Sequence, residues 1–260
     1  MAQYSYLMNP PGGRWRRIIL ATICAVLILA LGLGIGRALP RHLKPAERVA
    51  PRSEDVPTAL RVETVFRTNP ADKLVALTFD DGPDERWTPK VLDILAKHRA
   101  KATFFVIGSA VKKLPDLIAR EAREGHEVGI HEWEHVDYLR QSFSDLSRRL
   151  SETKAAIIAA GAPAPRLGRP PYGRLDSPSL RSYADLGLAA VLWSHHFPGA
   201  HAAEVRKRNE ASASPGMIVL AHDGRGDPSD ELMSELDTFI GNLSAQGYAF
   251  VTVSELLKRS

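Results

Sequence analysis

Short apolar runs alternate with amphipathic stretches from about residue 61 to the end of the chain. Runs of a few β-branched and aromatic residues are typical of buried strands, and apolar positions at helical spacing are typical of amphipathic helices. The predicted strands include 74–79, 102–107, 127–130, 188–193 and 217–220. The predicted helices include 88–99, 115–124, 143–160, 178–186 and 202–211, and the segments 230–245 and 248–253 close the chain.

This alternation predicts an α/β fold built from βα units around a parallel sheet. Strands that read as continuous apolar runs are covered by helices on the outside, as in parallel sheets. About seven repeats in roughly 200 residues favour a barrel or a nearly closed barrel, with an open doubly wound sheet as the alternative. No glycine-rich phosphate-binding motif follows a predicted strand, so nucleotide binding has no support.

A different pattern precedes this domain. Residues 18–35 carry no charge, and as a helix they would span roughly 27 Å, close to the thickness of a bilayer core. Three arginines among residues 14–17 come directly before this stretch. The positive-inside rule then predicts a cytoplasmic segment over 1–17 and a single transmembrane signal-anchor helix over 18–36.

The prediction for the rest of the chain follows from this orientation. Residues 37–60 are rich in Pro and Arg and form an extended linker, and the domain over 61–260 lies on the outer side of the cytoplasmic membrane. A cleaved signal peptide is the alternative, because small residues at 36–38 resemble a cleavage site. The apolar stretch is longer than the usual signal-peptide core, which favours the anchor.

Composition and charge limit the kinds of metal site and partner that the chain could have. The 260 residues are 44% hydrophobic and 25% charged, as in globular proteins. The single cysteine, Cys24, excludes a disulfide framework and a cysteine-based zinc site, so a bound metal would need histidines and carboxylates. Eight of the 34 Lys and Arg but only three of the 30 Asp and Glu lie in residues 1–60. The remaining 26 basic and 27 acidic residues nearly cancel, which argues against a nucleic-acid partner.

Polar side chains follow four of the predicted strands. In parallel βα folds the carboxyl ends of the strands converge on one face, where sites are built. The alternatives without a catalytic role are that the aspartates cap helices, that the histidines lie at the surface, or that a histidine is buried in the core. The residues are Asp80 and Asp81, His131 and His135, His195 and His196, and His222 and Asp223.

Two of these pairs have the spacing of a metal centre. The imidazoles of His131 and His135 are four residues apart and would face the same way on one helical turn, where they could bind one metal ion. Adjacent carboxylates such as Asp80 and Asp81 suit one metal ligand beside one general base. A histidine at the end of an apolar strand, such as His222, could act as an acid near its working pKa.

Four motifs in this order resemble a known family. They are TFDDGP at 78–83, HxxxH at 131–135, RPPYG at 169–173 and LAH at 220–222. Together they strongly resemble the polysaccharide deacetylase family with the NodB homology domain, also called carbohydrate esterase family 4, over residues 70–255. The resemblance implies a distorted (β/α) barrel of about seven parallel strands. It also implies one divalent metal, most often Zn²⁺, with Co²⁺, Ni²⁺ or Mn²⁺ as alternatives.

The resemblance also implies roles for individual residues. The metal ligands fall on Asp81, His131 and His135. The catalytic base falls on Asp80, the arginine that orients it on Arg169, and the general acid on His222. The substrate and oxyanion positions fall on Tyr172, Pro171 and Trp193, with a backbone N–H of Tyr172 facing the oxyanion.

Two positions depart from the family pattern. Glu132 stands where the family has Ser or Thr, whose hydroxyl stabilises the loop between the histidines. The family's Asp-Asp-Trp element, which tunes the acid histidine, is missing from residues 193–200. His195 and His196 are candidates to replace part of it.

The favoured hypothesis is a membrane-anchored, metal-dependent hydrolase that removes N-acetyl groups from N-acetylhexosamine units of an envelope glycan or glycoconjugate. Deacetylation or deformylation of a polyprenyl-phosphate-linked aminosugar is the second hypothesis, because His-x-Trp-x-His is common in those deformylases. A catalytically silent carbohydrate-binding protein is the third. No protein partner is inferred.

Overall fold

The computed structural model describes residues 62–225 and 228–260 as one α/β fold. A curled parallel sheet forms a half-barrel with helices packed around it. The strands are β1 (Thr64–Val65), β2 (Leu74–Asp80), β3 (Ala102–Ile107), β4 (Glu127–Glu132), β5 (Leu167–Gly168), β6 (Ala189–Val191), β7 (His195–His196), β8 (Met217–His222) and β9 (Ala249–Phe250). The helices, numbered over the described residues, are α1 (Trp87–His98), α2 (Gly108–Lys113), α3 (Pro115–Arg123), α4 (Phe143–Ala159), α5 (Ser177–Leu186), α6 (Ala202–Ala211), α7 (Asp230–Ala245) and α8 (Val253–Lys258). Short 3₁₀ turns lie at Tyr138–Arg140 and Pro171–Gly173.

The strand order is β1-β6-β5-β4-β3-β2-β8-β7, and β9 pairs with the beginning of β2. Each of these strand pairs is parallel, which confirms the prediction of a parallel sheet. The predicted number of about seven strands is too low, because nine are present among the described residues. Four of the nine have only two residues, which is too short to produce a recognisable apolar run.

The central strands are buried on both faces, as their apolar sequences require. Every residue of β2 and β3 is buried, and so are the first five residues of β8. The core between the sheet and the helices includes a stacked pair of rings, Phe79 and Phe104, with centroids 5.2 Å apart. This packing holds the carboxyl ends of β2, β4 and β8 at one edge of the sheet.

The observed bounds of the strands and helices differ in part from the predicted ones. The bounds of β3 and α6 match the prediction, whereas β2, β4 and β8 continue one or two residues further than predicted. As a result, Asp80, His131 and His222 lie within the last residues of their strands and not in the loops that follow. The short helices α2 and α8, six residues each, were not predicted.

The membrane prediction concerns residues that the structure does not describe. The cytoplasmic segment 1–17, the anchor 18–36 and the linker 37–60 all lie outside the described ranges. Within residues 62–225 and 228–260, no helix is long and apolar enough to span a bilayer.

Candidate active site

A cavity of about 470 Å³ opens at the carboxyl ends of β2, β4 and β8. Most of the residues singled out from the sequence line it, together with three that were not, Pro170, Leu220 and Arg225. Pro171 is buried beside the cavity, and its neighbour Pro170 lines the wall in its place. The lining residues are Asp80, Asp81, His131, His135, Pro170, Tyr172, Trp193, His196, Leu220, His222 and Arg225.

Asp81, His131 and His135 form the metal-binding geometry of this cavity. The Oδ1 atom of Asp81 lies 3.4 Å from the Nε2 atom of His131 and 3.4 Å from that of His135. One ligand atom from each residue lies within 4.8 Å of the other two. The buried Oδ1 of Asp81 accepts no hydrogen bond from the residues that the structure describes. A buried acceptor that faces two imidazole nitrogens fits a divalent cation.

The protonation of His131 and His135 also suits a bound divalent cation. The Nδ1 atom of His131 lies 2.7 Å from the carbonyl oxygen of Arg169, to which it donates as an N–H, leaving Nε2 to face Asp81. Burial lowers the pKa of both His131 and His135, although nearby aspartates oppose this effect. Both rings are therefore neutral near pH 7, which is the form that binds a metal.

The two histidines do not share a helical turn, so that sequence prediction is wrong. His131 belongs to β4, and His135 lies in the loop that follows, with a left-handed backbone φ of 67°. The four-residue spacing therefore reflects a strand end and a tight loop. The rings still meet, with centroids 5.0 Å apart.

Glu132 holds this loop in place. Its side chain is fully buried, and its Oε2 atom accepts hydrogen bonds from the backbone N–H groups of Glu134 (2.6 Å) and Val136 (3.0 Å). The guanidinium of Arg149 lies 3.6 Å from its Oε1 atom. The carboxylate thus binds the N–H groups on both sides of His135. Sequence reasoning marked Glu132 as a departure from the family pattern but gave it no role.

Asp80 sits beside the triad and is held by Arg169. The fully buried guanidinium donates from Nη1 to Asp80 Oδ1 and to Thr78 Oγ1, both at 2.8 Å. Its remaining N–H groups donate to the carbonyl oxygens of Val191 (3.1 Å) and Leu192 (3.2 Å). Burial lowers the pKa of Arg169, and the Asp80 carboxylate opposes this effect. The arrangement fixes the orientation of the Asp80 carboxyl group and places a positive charge beside it.

His222 faces Asp80 across neighbouring strands. The two residues are register partners in the β2–β8 ladder. The ring of His196 lies edge-on to the ring of His222, with centroids 5.9 Å apart. His195 turns toward Ser212, with 3.2 Å between the ring Nε2 and the hydroxyl oxygen, and does not line the cavity. Of the two candidates from the sequence, only His196 therefore lies beside His222.

Tyr172 and Trp193 form an aromatic part of the cavity wall. Tyr172 has a left-handed backbone, with φ of 60°, and its side chain is exposed. Its ring lies edge-on to the ring of His135, with centroids 4.8 Å apart. The indole of Trp193 lies 5.7 Å from the Arg169 guanidinium. The two aromatic rings give this side of the cavity an apolar surface suited to a sugar or an acetyl group.

Two further ionisable side chains, those of Arg225 and Asp223, lie near the site. The Nε atom of Arg225 lies 3.6 Å from Asp81 Oδ2, and no sequence signal pointed to it. Asp223 is fully buried below the cavity and accepts a hydrogen bond of 2.6 Å from Thr88 Oγ1. Burial raises the pKa of Asp223 to about 7. A side chain at Gly82 would overlap the Asp223 carboxylate, which explains the glycine in TFDDGP.

Comparisons with known proteins agree with this geometry. The family model described as polysaccharide deacetylase matches residues 67–191. The peptidoglycan-N-acetylglucosamine deacetylase of Listeria monocytogenes is 38% identical over 213 residues, which cover 81% of this chain and 43% of that protein. The chitooligosaccharide deacetylase of Sinorhizobium fredii is 42% identical over 177 residues, covering 66% of this chain and 80% of that protein.

A solved structure shows the same fold. A crystal structure of a peptidoglycan N-acetylglucosamine deacetylase in complex with a hydroxamate-type benzamide superposes with a TM-score of 0.71 at 32% identity. The match covers 76% of this chain and 94% of that one. This chain spans less than half of the length of the Listeria relative, so the likeness extends over only part of that protein. Both the sequence and the fold place this chain in the polysaccharide deacetylase family.

Proposed function

We propose that this protein is a metal-dependent hydrolase that removes N-acetyl groups from N-acetylhexosamine units of an envelope glycan. The observation that carries the proposal is the pairing of three converging ligand residues with a second acid. Asp81, His131 and His135 converge on one point, and Asp80 lies beside them, held by Arg169. A protein that only bound carbohydrate would not need a buried, oriented carboxylate next to a metal site.

The triad would hold one divalent cation, with Zn²⁺ as the first choice and Co²⁺, Ni²⁺ or Mn²⁺ as alternatives. Such an ion supplies Lewis acidity toward an amide carbonyl and toward water. Three protein ligands are the number found in catalytic zinc sites, which leave a coordination position open.

The remaining steps belong to residues of the chain. Asp80, hydrogen-bonded to Arg169, takes the proton of the attacking water. The backbone N–H of Tyr172 donates to the oxyanion that forms on the former carbonyl oxygen. His222, on the neighbouring strand, protonates the departing sugar nitrogen. The C–N bond breaks, and acetate and a free amine leave the site.

Peptidoglycan is the first substrate to test. The names of the Listeria and Sinorhizobium relatives specify peptidoglycan and chitooligosaccharide, and both glycans contain N-acetylglucosamine. The predicted anchor over 18–36 would place the domain on the outer side of the cytoplasmic membrane, where an envelope glycan is accessible. This topology is part of the proposal.

The test uses the full chain, purified in detergent and loaded with zinc. Release of acetate and formate is measured on peptidoglycan, on chito-oligomers and on polyprenyl-phosphate-linked aminosugars. We expect acetate from the N-acetylated glycans. Formate, or release from the lipid-linked sugars alone, would favour the second hypothesis. Zinc binding without release from any substrate would favour a silent carbohydrate-binding protein.

A further inference from the structure

A second cavity, of about 460 Å³, adjoins the catalytic cavity. His135 and Tyr172 line both of them, so the two cavities meet at the edge of the metal-binding site. The two cavities therefore lie side by side, with His135 and Tyr172 at their common border. A cavity of this volume beside the catalytic one has room for a neighbouring unit of a glycan chain.

The wall of this second cavity carries two arginines. Arg174 donates from Nη1 to Oδ2 of Asp137 at 2.8 Å. Asp137 is itself buried and accepts the backbone N–H of Leu139 at 3.1 Å, so it is fixed in place. The ion pair with Asp137 holds the Arg174 guanidinium at the cavity wall. Since only Nη1 contacts Asp137, the other N–H groups of Arg174 can reach a ligand.

Arg140 contributes the second positive charge. It is exposed, it lines the same cavity, and over residues 62–225 and 228–260 no carboxylate lies within ion-pair distance of it. Asp137 is the one acidic residue of this lining, so a single carboxylate faces two guanidinium groups. The cavity therefore has a net positive charge and offers a fork of N–H donors.

We propose that this second cavity binds a carboxylate on the sugar next to the one that is deacetylated. Arginine recognises carboxylates through paired N–H donors, and more strongly than a neutral hydroxyl. A glycan that alternates N-acetylglucosamine with N-acetylmuramic acid carries such a group as its lactyl ether, whereas chitin carries none. The inference rests on the proposed deacetylase function and refines its substrate class to an acidic glycan.

The experiment compares three tetrasaccharides of equal length. They are chitotetraose, a peptide-free tetrasaccharide of alternating N-acetylglucosamine and N-acetylmuramic acid, and the same tetrasaccharide with its lactyl carboxylates amidated. The variant is the double substitution Arg140→Gln and Arg174→Gln in the zinc-loaded full chain. The matched control is Arg166→Gln, because Arg166 is an exposed arginine that precedes β5 at the opposite edge of the sheet.

We expect kcat/KM on the acidic tetrasaccharide to fall about tenfold further in the double variant than kcat/KM on chitotetraose, the scale of one charge-assisted hydrogen bond. The amidated tetrasaccharide should behave like chitotetraose, and Arg166→Gln should change neither ratio. Equal losses on all three substrates, or no loss on any, would overturn the inference.

Binding by the Asp80→Asn variant separates this inference from the proposed function. Calorimetry with the same three tetrasaccharides measures the preference without turnover. Tighter binding of the acidic glycan, lost when the two arginines are also replaced, supports the inference even if the wild-type protein releases no acetate. Acetate release with no such preference upholds the deacetylase and rejects the carboxylate site.

Discussion

Two fully buried glutamates, Glu132 at the end of β4 and Glu121 on α3, have opposite surroundings. The Glu132 carboxylate accepts two backbone N–H groups of the loop that carries His135 and lies near Arg149. Neither carboxyl oxygen of Glu121 accepts a hydrogen bond in the part of the chain that the structure describes. Burial raises the pKa of Glu121 well above its ordinary value, and the nearby Asp223 adds to this effect.

The contrast shows what a buried acid requires. A buried carboxylate is stable when N–H donors and a cation replace the water that it has lost, and otherwise it retains its proton. Glu132 has these donors because it organises a loop that holds a metal ligand. Within the described part of the chain Glu121 accepts no hydrogen bond, so we expect its burial to cost folding free energy. The three substitutions below test this comparison.

The largest effect on activity is expected at a third buried acid, Asp80, whose carboxyl group forms an ion pair with the guanidinium of Arg169. Replacing it as Asp80→Asn removes the proton acceptor, so acetate release should fall by about 10³-fold, within the range known for general bases. The metal should remain, because Asp80 is not one of the three converging ligands. Acetate release and zinc content are measured on the same preparation, with exposed Asp72→Asn as the control.

Loss of zinc from Asp80→Asn would contradict this division of roles. It would mean that Asp80 binds the metal or holds a ligand. Unchanged turnover with zinc in place would show that another group accepts the proton.

The next effect is expected at Glu132. The substitution Glu132→Ala leaves the N–H groups of Glu134 and Val136 without their acceptor, so the His135 loop should loosen. Groups that position metal ligands are commonly worth 10- to 100-fold in metal affinity, and we expect about that loss of zinc affinity here. The readouts are the zinc Kd by chelator competition and kcat at saturating zinc.

Two companion variants make this test specific. Glu132→Gln retains an oxygen acceptor and should recover part of the zinc affinity. Glu152→Ala changes a partly exposed glutamate on α4 and should leave the affinity unchanged. A folded Glu132→Ala protein that binds zinc as tightly as the wild type would show that the loop holds its shape without the carboxylate.

The sequence predicted the members of the site better than their geometry. Polar residues directly after apolar strands predicted that Asp80, Asp81 and His222 would lie at one edge of the sheet, because the carboxyl ends of parallel strands lie on the same side. It did not predict the backbone at His135, because a four-residue spacing is compatible with either a helical turn or a tight loop. The contacts that decide between them involve the Glu132 carboxylate, whose burial depends on tertiary packing.

Residues that act only through long-range packing could not be predicted. Arg225 reaches Asp81 from a loop 144 positions later, and nothing around it in the sequence marks it. The two-residue strands, such as β5 and β7, exist because neighbouring strands pair with them and not because of a local apolar pattern. The position of two cavities side by side at His135 and Tyr172 likewise depends on the fold as a whole.

The smallest effect is expected at Glu121, and it concerns stability. Its raised pKa means that the folded protein keeps a proton at pH values where the unfolded chain, with its ordinary pKa of 4.5, has lost it. The unfolding free energy of the wild type therefore falls as the pH rises above about 4.5. Glu121→Gln has no such proton and should be more stable than the wild type by about 1 kcal/mol at pH 8, with little difference at pH 4. Urea unfolding at both pH values, with exposed Glu85→Gln as the control, would contradict this assignment if the gain were larger at pH 4.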